Sequence, residues 1–183
     1  MKNILKKFFV KKKITNQNHL EFEKLKNQPE VKKVFDAISN FSTDSEIRYV
    51  GGCIRKILNN EKVDDIDLST NIRPEETILA LKKNQINFFE TGIKHGTITA
   101  IINQRKFEIT SLRKDINTDG RHAEVEFSKN WKEDALRRDF TFNSIYADLD
   151  GNLFDPFNGV DDLKNGNINF IQNQIFKILI KIL

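Results

Sequence analysis

The sequence predicts an α+β fold, a small mixed sheet flanked by helices, and two observations support this class. Strand-like and helix-like segments alternate in the first half of the chain, whereas three later strand-like segments follow one another directly. Strands joined without a helix pair antiparallel, because a parallel crossover needs roughly a dozen residues or more. The 183 residues suit one domain with appendages and can bury a core.

The first half begins with two helices. Apolar residues recur at helical spacing from residue 18 to residue 40, and Pro29 separates the two helices. The segment EIRYV then predicts a strand that ends at Gly51-Gly52, and CIRKILNN returns to a helical pattern. We therefore expect a strand, a tight turn and a helix in this order.

The second half is richer in strands. VDDIDLST alternates like a strand, and Pro74 opens a helix that runs through Leu81. Three more strands are expected at NFFE, TITAII and KFEITSL. EDALRRDF is predicted to be helical, SIYADLDGNLF to form a hairpin, and GVDDLKNG to form a short helix closed by Gly166.

Positive charge is concentrated at the N terminus. The net charge is +4, and the first 13 residues carry six lysines and no acid. This arm could contact RNA phosphates or could be a solvated end. Its lysines interrupt the apolar residues too early for a signal peptide, so we expect a cytoplasmic protein. The single Cys53 excludes an internal disulfide, and no His/Cys cluster has zinc spacing.

The C-terminal stretch INFIQNQIFKILIKIL is strongly apolar. Ten of its 16 residues are Ile, Leu or Phe. It is too short for a membrane span, which needs about 20 residues, so no membrane partner is expected. The stretch either closes the core of this domain or begins a helical region that the chain does not continue.

The segment around residue 65 carries paired carboxylates. Side chains two residues apart in a strand share a face, so Asp65 and Asp67 are expected to converge while Asp64 points away. Repulsion between two acids raises a carboxylate pKa, and a divalent cation removes that cost. Oxygen ligands without histidine favour Mg²⁺ as the metal. Taken alone, an Asp-x-Asp pair is more often a charged strand edge.

The glycine turn upstream strengthens the metal hypothesis. Gly51 and Gly52 at a strand-to-helix turn let backbone N–H groups approach a phosphate, and Arg55 can bind phosphate oxygens. A lone Gly-Gly pair is usually an ordinary turn. Followed about ten residues later by the acids, it predicts phosphoryl transfer, because that reaction needs donors for a triphosphate and acids for the metal.

Two further segments contribute candidate residues. If KFEITSL neighbours the aspartate strand, Glu108 could complete the metal site or act as a base; otherwise it is a solvated glutamate. EDALRRDFTFN brings together Arg137, Arg138, Asp139 and Asn143. Adjacent arginines suit an anionic ligand, and Asp139 could orient one of them, although a surface ion-pair network would look similar.

These segments, in this order, resemble the catalytic head of the class II tRNA nucleotidyltransferase and bacterial poly(A) polymerase family. The resemblance runs from about residue 47 to residue 171 and is carried by VGGCIRKIL, DDIDLST, RRDFTFN and DPFNGVDDL. It implies the polymerase β-like nucleotidyltransferase core. It also implies addition of CMP or AMP to RNA 3′ ends, with CTP and ATP as substrates, tRNA as the expected RNA and Mg²⁺ as cofactor.

The resemblance also implies roles for individual residues. Asp65 and Asp67 would hold the catalytic Mg²⁺. The residues that would bind or support the nucleotide are Gly52, Arg55, Arg138, Asp139 and Asn143. Lys56 stands where the family usually has an acid, so Arg55 is expected to lack a carboxylate support.

The expected organisation has three parts. Residues 1–45 form the basic arm and N-terminal helices, 46–167 the head domain, and 168–183 the start of a truncated neck. IFKILIKIL lacks the E-D-x-x-R motif with which the family's neck selects the incoming base. The alternatives are therefore a truncated, catalytically impaired relative that binds nucleotide and RNA, or a non-catalytic RNA-binding module. CCA addition and poly(A) addition both stay open.

Overall fold

A seven-stranded mixed sheet lies at the centre of the computed structural model, which describes residues 15–118 and 123–171. Within these residues, six α-helices and a separate two-stranded hairpin accompany the sheet. The predicted α+β class is confirmed. The lysine-rich arm and residues 172–183 of the apolar C-terminal stretch lie outside the described residues.

The elements have the following bounds. The helices are α1 (Asn16–Lys26), α2 (Pro29–Ser39), α3 (Gly52–Leu58), α4 (Pro74–Lys83), α5 (Trp131–Leu136) and α6 (Gly159–Asn165). The strands are β1 (Ile47–Val50), β2 (Ile66–Thr70), β3 (Asn87–Gly92), β4 (Thr97–Ile102), β5 (Arg105–Ser111), β6 (Arg113–Thr118), β7 (Ala123–Phe127), β8 (Tyr146–Ala147) and β9 (Leu153–Phe154). Two 3₁₀ helices cover Ile93–His95 and Thr141–Asn143.

The strand order of the sheet is β3-β4-β5-β2-β1-β8-β9. β2 and β5 pair in parallel, whereas the other neighbouring strands described in this sheet pair antiparallel. The parallel register sets Asp67 directly opposite Glu108. Residues with the same register on adjacent strands share a face, so two acids meet there.

The opposite face of these two strands is apolar and buried. Ile66 and Leu68 on β2, and Phe107 and Ile109 on β5, are each at most 3% exposed. The alternation that the sequence predicted is therefore present, with apolar side chains toward the core and polar ones away from it.

Helices α1 and α2 pack against this same core. Phe22 and Phe35 lie with their ring centroids 6.0 and 4.8 Å from that of Tyr49 on β1. Asn18, buried on α1, donates from Nδ2 to the carbonyl oxygen of Ile57 at 2.8 Å. The N-terminal helices thus share one hydrophobic cluster with the sheet.

Three features differ from the sequence prediction. The hairpin of β6 and β7 was not predicted. Helix α5 ends at Leu136, so the Arg137-Arg138 pair follows the helix rather than lying within it. Strand β2 begins at Ile66 because its ladder with β5 starts at the Ile66–Phe107 pair, and Asp65 therefore precedes the strand.

Helix length bears on membrane insertion. Across residues 15–118 and 123–171, every helix is too short or too polar to cross a bilayer.

Candidate active site

A cleft of about 440 Å³ lies beside strands β2 and β5. It brings together eight of the nine residues predicted as catalytic or nucleotide-binding. These are Gly51, Gly52, Arg55, Asp67, Glu108, Arg138, Asp139 and Asn143. Asp65 is exposed and does not line the cleft. Asp65 directly precedes β2, and it is close enough to Asp67 for its negative charge to raise the pKa of Asp67.

The two acids in the cleft lie side by side through the parallel pairing of β2 with β5. Glu108 is exposed and Asp67 is half-buried. Burial, followed by the negative charges of Glu108 and Asp65, raises the pKa of Asp67. The sequence made a role for Glu108 depend on its strand lying next to the strand of Asp67, and β5 and β2 are indeed neighbours.

The candidate metal ligands that line the cleft are the carboxylates of Asp67, Glu108 and Asp139. Within the two described ranges, no group of three or more His, Cys, Asp or Glu side chains is arranged to hold a metal ion. Asp67 and Glu108 nevertheless offer hard carboxylate oxygens in a position where their charges repel. A divalent cation that retains water ligands fits such a pair.

The glycine turn, which follows β1 next to β2 in the sheet, also lines the cleft. Gly51 has φ 69° and ψ −126°, a conformation that residues with a Cβ rarely adopt. A Cβ built on Gly51 would lie 3.8 Å from Nη1 of Arg138. A Cβ built on Gly52 would meet no atom within 4 Å, so Gly52 borders open space.

Arg55 is supported by an amide rather than by a carboxylate. Its Nη1 donates to Oδ1 of Asn143, and Nδ2 of Asn143 donates to Oδ1 of Asp139 at 3.0 Å. Lys56, in the position of the family's usual acid, pairs instead with Asp64 at 3.5 Å. The chain of contacts from Arg55 through Asn143 to Asp139 therefore orients Arg55.

A buried acid that the sequence analysis missed holds the arginine pair. Asp134 on α5 is fully buried and binds Arg137 at 2.8 Å and Arg138 at 3.2 Å. Burial raises the pKa of Asp134, but the charges of Arg138 and Arg137 outweigh it, so the pKa lies below its ordinary value. The predicted orienting acid, Asp139, contacts Asn143 instead.

These features agree with a comparison against known protein families. Residues 47–169 match the family model described as the poly(A) polymerase head domain. This match covers more than half of the 183 residues. The chain belongs to the poly(A) polymerase head-domain family.

Curated relatives of this head domain are CCA-adding enzymes. The chain is 48% identical over 127 residues to the human "CCA tRNA nucleotidyltransferase 1, mitochondrial". This alignment covers 69% of this chain and 29% of the human protein. It is 40% identical over 122 residues to the "CCA-adding enzyme" of Lactobacillus helveticus, covering 66% of this chain and 30% of the relative. The chain thus spans about three tenths of the length of these relatives.

Solved structures show the same head-domain architecture. The CCA-adding enzyme of Bacillus stearothermophilus in complex with CTP superimposes with a TM-score of 0.65 at 27% identity, over 79% of this chain and 34% of that one. A tRNA nucleotidyltransferase complexed with a primer tRNA and an incoming ATP analog superimposes with a TM-score of 0.55 at 27% identity. This superposition covers 70% of this chain and 36% of that one.

The cleft of the head domain contains further polar residues that were not predicted. They are Ser69, Thr97, Thr110 and Arg113. The register of β4 and β5 pairs Thr97 with Thr110, and their hydroxyl oxygens lie 3.0 Å apart. Period-two alternation on β5 places Thr110 on the face of Glu108, so the sequence contained enough information to include it. Arg113 begins the unpredicted hairpin, and no comparable pattern pointed to it.

Proposed function

We propose that this head domain transfers CMP or AMP from CTP or ATP to an RNA 3′ end. One observation carries the proposal: the parallel pairing of β2 with β5 sets Asp67 beside Glu108 in the cleft that also contains Arg55, Arg138 and the glycine turn. Acids for a metal and cations for a triphosphate are the two requirements of nucleotidyl transfer.

The acids are proposed to hold Mg²⁺. The donor set fits this ion, because Mg²⁺ typically takes one or two carboxylates and completes its shell with water and substrate phosphates. Asp67 and Asp65 would hold the ion, since the charge of Asp65 already acts on Asp67, and Glu108 beside Asp67 would serve as the base. When bound, Mg²⁺ would neutralise phosphate charge and favour loss of the hydroxyl proton.

The cations are proposed to hold the triphosphate. Arg55 and Arg138 are fixed by Asn143 and by Asp134, so their guanidinium groups face the cleft with little freedom. The RNA 3′-hydroxyl would attack the α-phosphorus. The new O–P bond forms as the bond to the β-phosphate oxygen breaks, pyrophosphate leaves with the electron pair, and Glu108 accepts the hydroxyl proton.

The proposed RNA is a tRNA 3′ end, since the relatives are named as CCA-adding and tRNA-directed enzymes. The two similar structures described above are complexes with CTP and with an ATP analog. The compartment stays a prediction: the sequence favours the cytoplasm, whereas the animal relatives are named as mitochondrial.

The test is incorporation of radiolabelled CMP and AMP into tRNA that lacks its 3′ end. We expect Mg²⁺-dependent incorporation by the native chain and a decrease of about 100-fold or more in Asp67→Ala, because that change removes a cation ligand from the reacting centre. Asp64→Ala is the matched control. It removes an equal charge three residues away, from an exposed acid that pairs with Lys56 and Lys62 outside the cleft.

Two results would count against the proposed mechanism. Incorporation that survives the double substitution Asp65→Ala/Asp67→Ala would rule out metal binding by these acids. Equal loss in Asp64→Ala and Asp67→Ala would indicate a general charge effect rather than a site.

A second candidate function is nucleotide binding without turnover. The exposed position of Asp65, outside the cleft lining, favours it, because the catalytic pair expected from the family resemblance is then incomplete. Calorimetric titration with CTP and Mg²⁺ separates the two functions. Binding by a chain that incorporates no CMP would support the second one.

A further inference from the structure

The guanidinium group of Arg138 is held by three side chains. Its Nε donates to the hydroxyl oxygen of Tyr146 at 3.0 Å and, over a longer distance of 3.4 Å, to Oδ2 of Asp134. Its Nη2 donates to Oδ2 of Asp134 at 3.2 Å and to Oγ of Ser69 at 3.4 Å. These contacts reach Arg138 from α5, β8 and β2, three different elements.

Tyr146 and Asp134 also bind each other. The Tyr146 hydroxyl donates to Oδ2 of Asp134 at 2.7 Å, which leaves its oxygen to accept from Arg138. Both residues are fully buried. Asp134, Tyr146 and Arg138 therefore form a closed triangle of hydrogen bonds in which each hydroxyl, carboxylate and Nε–H group has a fixed direction.

One nitrogen of the guanidinium is left for the cleft. Nη1 of Arg138 makes no hydrogen bond to any residue in the described part of the chain, and it lies 3.8 Å from the Cβ position of Gly51. The triangle thus binds two edges of the guanidinium and directs the third toward the glycine turn.

We propose that Asp134 and Tyr146 are positioning residues that hold Arg138 with Nη1 directed at the triphosphate. The inference deepens the proposed function and rests on it for the identity of the ligand. An arginine fixed before binding loses less rotamer freedom when the nucleotide arrives, so the nucleotide binds more tightly. Neither residue is expected to touch the nucleotide.

Tyr146→Phe is the informative substitution. It removes one hydroxyl and keeps the ring, which packs edge-on against Trp131 with centroids 5.3 Å apart. Asp134→Asn is less informative alone, because Asp134 also accepts from Arg137 and from the backbone N–H of Arg113, and the variant could fail to fold.

The first measurement is ¹⁵N NMR of the Arg138 Nε–H group without nucleotide. In the native chain we expect slow hydrogen exchange, because this group donates to a buried oxygen. In Tyr146→Phe we expect exchange faster by about tenfold or more, because the nearer acceptor is gone and only Oδ2 of Asp134, at 3.4 Å, remains. Unchanged exchange would overturn the positioning role.

The second measurement is the affinity for CTP with Mg²⁺. We expect Tyr146→Phe to weaken binding by about tenfold, the size expected for a hydrogen bond to a charged group. Tyr49→Phe is the matched control, because the Tyr49 hydroxyl is buried and has no hydrogen-bond partner among the described residues. This control should bind CTP as the native chain does.

A second variant shows whether the effect passes through Arg138. In an Arg138→Lys background, which has no Nε–H group, Tyr146→Phe should change CTP affinity by less than about twofold. An equal tenfold loss in both backgrounds would contradict the inference. A native chain that binds no CTP would contradict the proposed function, and the exchange rate would still decide whether Tyr146 positions Arg138.

Discussion

At the scale of single residues, Gly51 and Gly52 are neighbours with different requirements. Gly51 has a positive φ that disfavours any side chain. Gly52 is the first residue of α3, and the space next to it is open. The absence of a side chain at Gly51 therefore allows the positive φ of its backbone, whereas the absence of a side chain at Gly52 leaves room in the cleft.

This difference predicts opposite effects of two alanine substitutions. Gly52→Ala should leave the melting temperature unchanged or slightly raised, because alanine favours a helix, and should weaken CTP binding by about tenfold or more by occupying the cleft. Gly51→Ala should destabilise the fold by about 1–3 kcal/mol through backbone strain. Thermal unfolding together with calorimetric titration checks both. A Gly52→Ala variant that binds CTP normally would show that phosphate does not approach this turn.

Single residues also show what the sequence could and could not predict at the site. Asp67, Glu108 and the glycine turn were predicted because they have local patterns, namely alternation and a Gly-Gly pair. Asp134 was missed, because an acid in the first turn of a helix is ordinarily a solvated residue. Only the tertiary arrangement of β8, α5 and the arginines makes it buried and bonded.

At the scale of elements, α6 supports the 3₁₀ helix that carries Asn143. Gly159, the first residue of α6, lies so close to this helix that an added Cβ would be 2.2 Å from the carbonyl oxygen of Thr141. Thr141 also donates from Oγ1 to Oδ2 of Asp162 on α6 at 2.6 Å. The position of Asn143, and through it that of Arg55, therefore depends on this contact between elements.

Gly159→Ala should consequently affect both stability and the site. The methyl group would push the two elements apart, with an expected cost of about 1–3 kcal/mol and a lower affinity for CTP. Urea unfolding and calorimetry measure the two effects. Gly92→Ala is the control, because its Cβ would make an ordinary contact of 3.6 Å with Thr97. Equal effects of the two variants would contradict the packing argument.

Elements also differ in how well the sequence predicts them. The buried strands were found because apolar and polar residues alternate along them, as in β5. The hairpin of β6 and β7 was missed because these strands pair only with each other in the described structure, and segments such as RKDINT lack a buried apolar face. Helix α5 is shorter than predicted, because it ends at Leu136 with Arg137 as its C-cap residue.

At the scale of the whole molecule, the N-terminal helices and the matched head region form one hydrophobic cluster. Phe22 on α1 is 1% exposed, and its ring packs on the turn at Gly151, where an added Cβ would lie 2.6 Å from it. From the sequence, these helices were expected to belong to a separate part, residues 1–45. Their shared core predicts that they unfold together with residues 46–167.

Phe22→Ala tests this coupling. Loss of the buried ring should lower the free energy of unfolding of the whole domain by about 3–5 kcal/mol. On heating, the helical circular dichroism signal and CTP binding should disappear in one transition. Leu20→Ala is the matched control on the same helix, because Leu20 is 54% exposed and should cost less than about 0.5 kcal/mol. Two separate transitions in Phe22→Ala would indicate that the helices form an independent unit.

The parallel pairing of β2 with β5 also determines when the site can form. α4, β3 and β4 lie between these strands along the chain, so a loop of about 40 residues must close before Asp67 meets Glu108. During synthesis β2 leaves the ribosome well before β5, and the two acids repel each other only once the sheet is assembled. A cation or nucleotide bound between them would therefore stabilise the finished domain and none of its earlier folding stages.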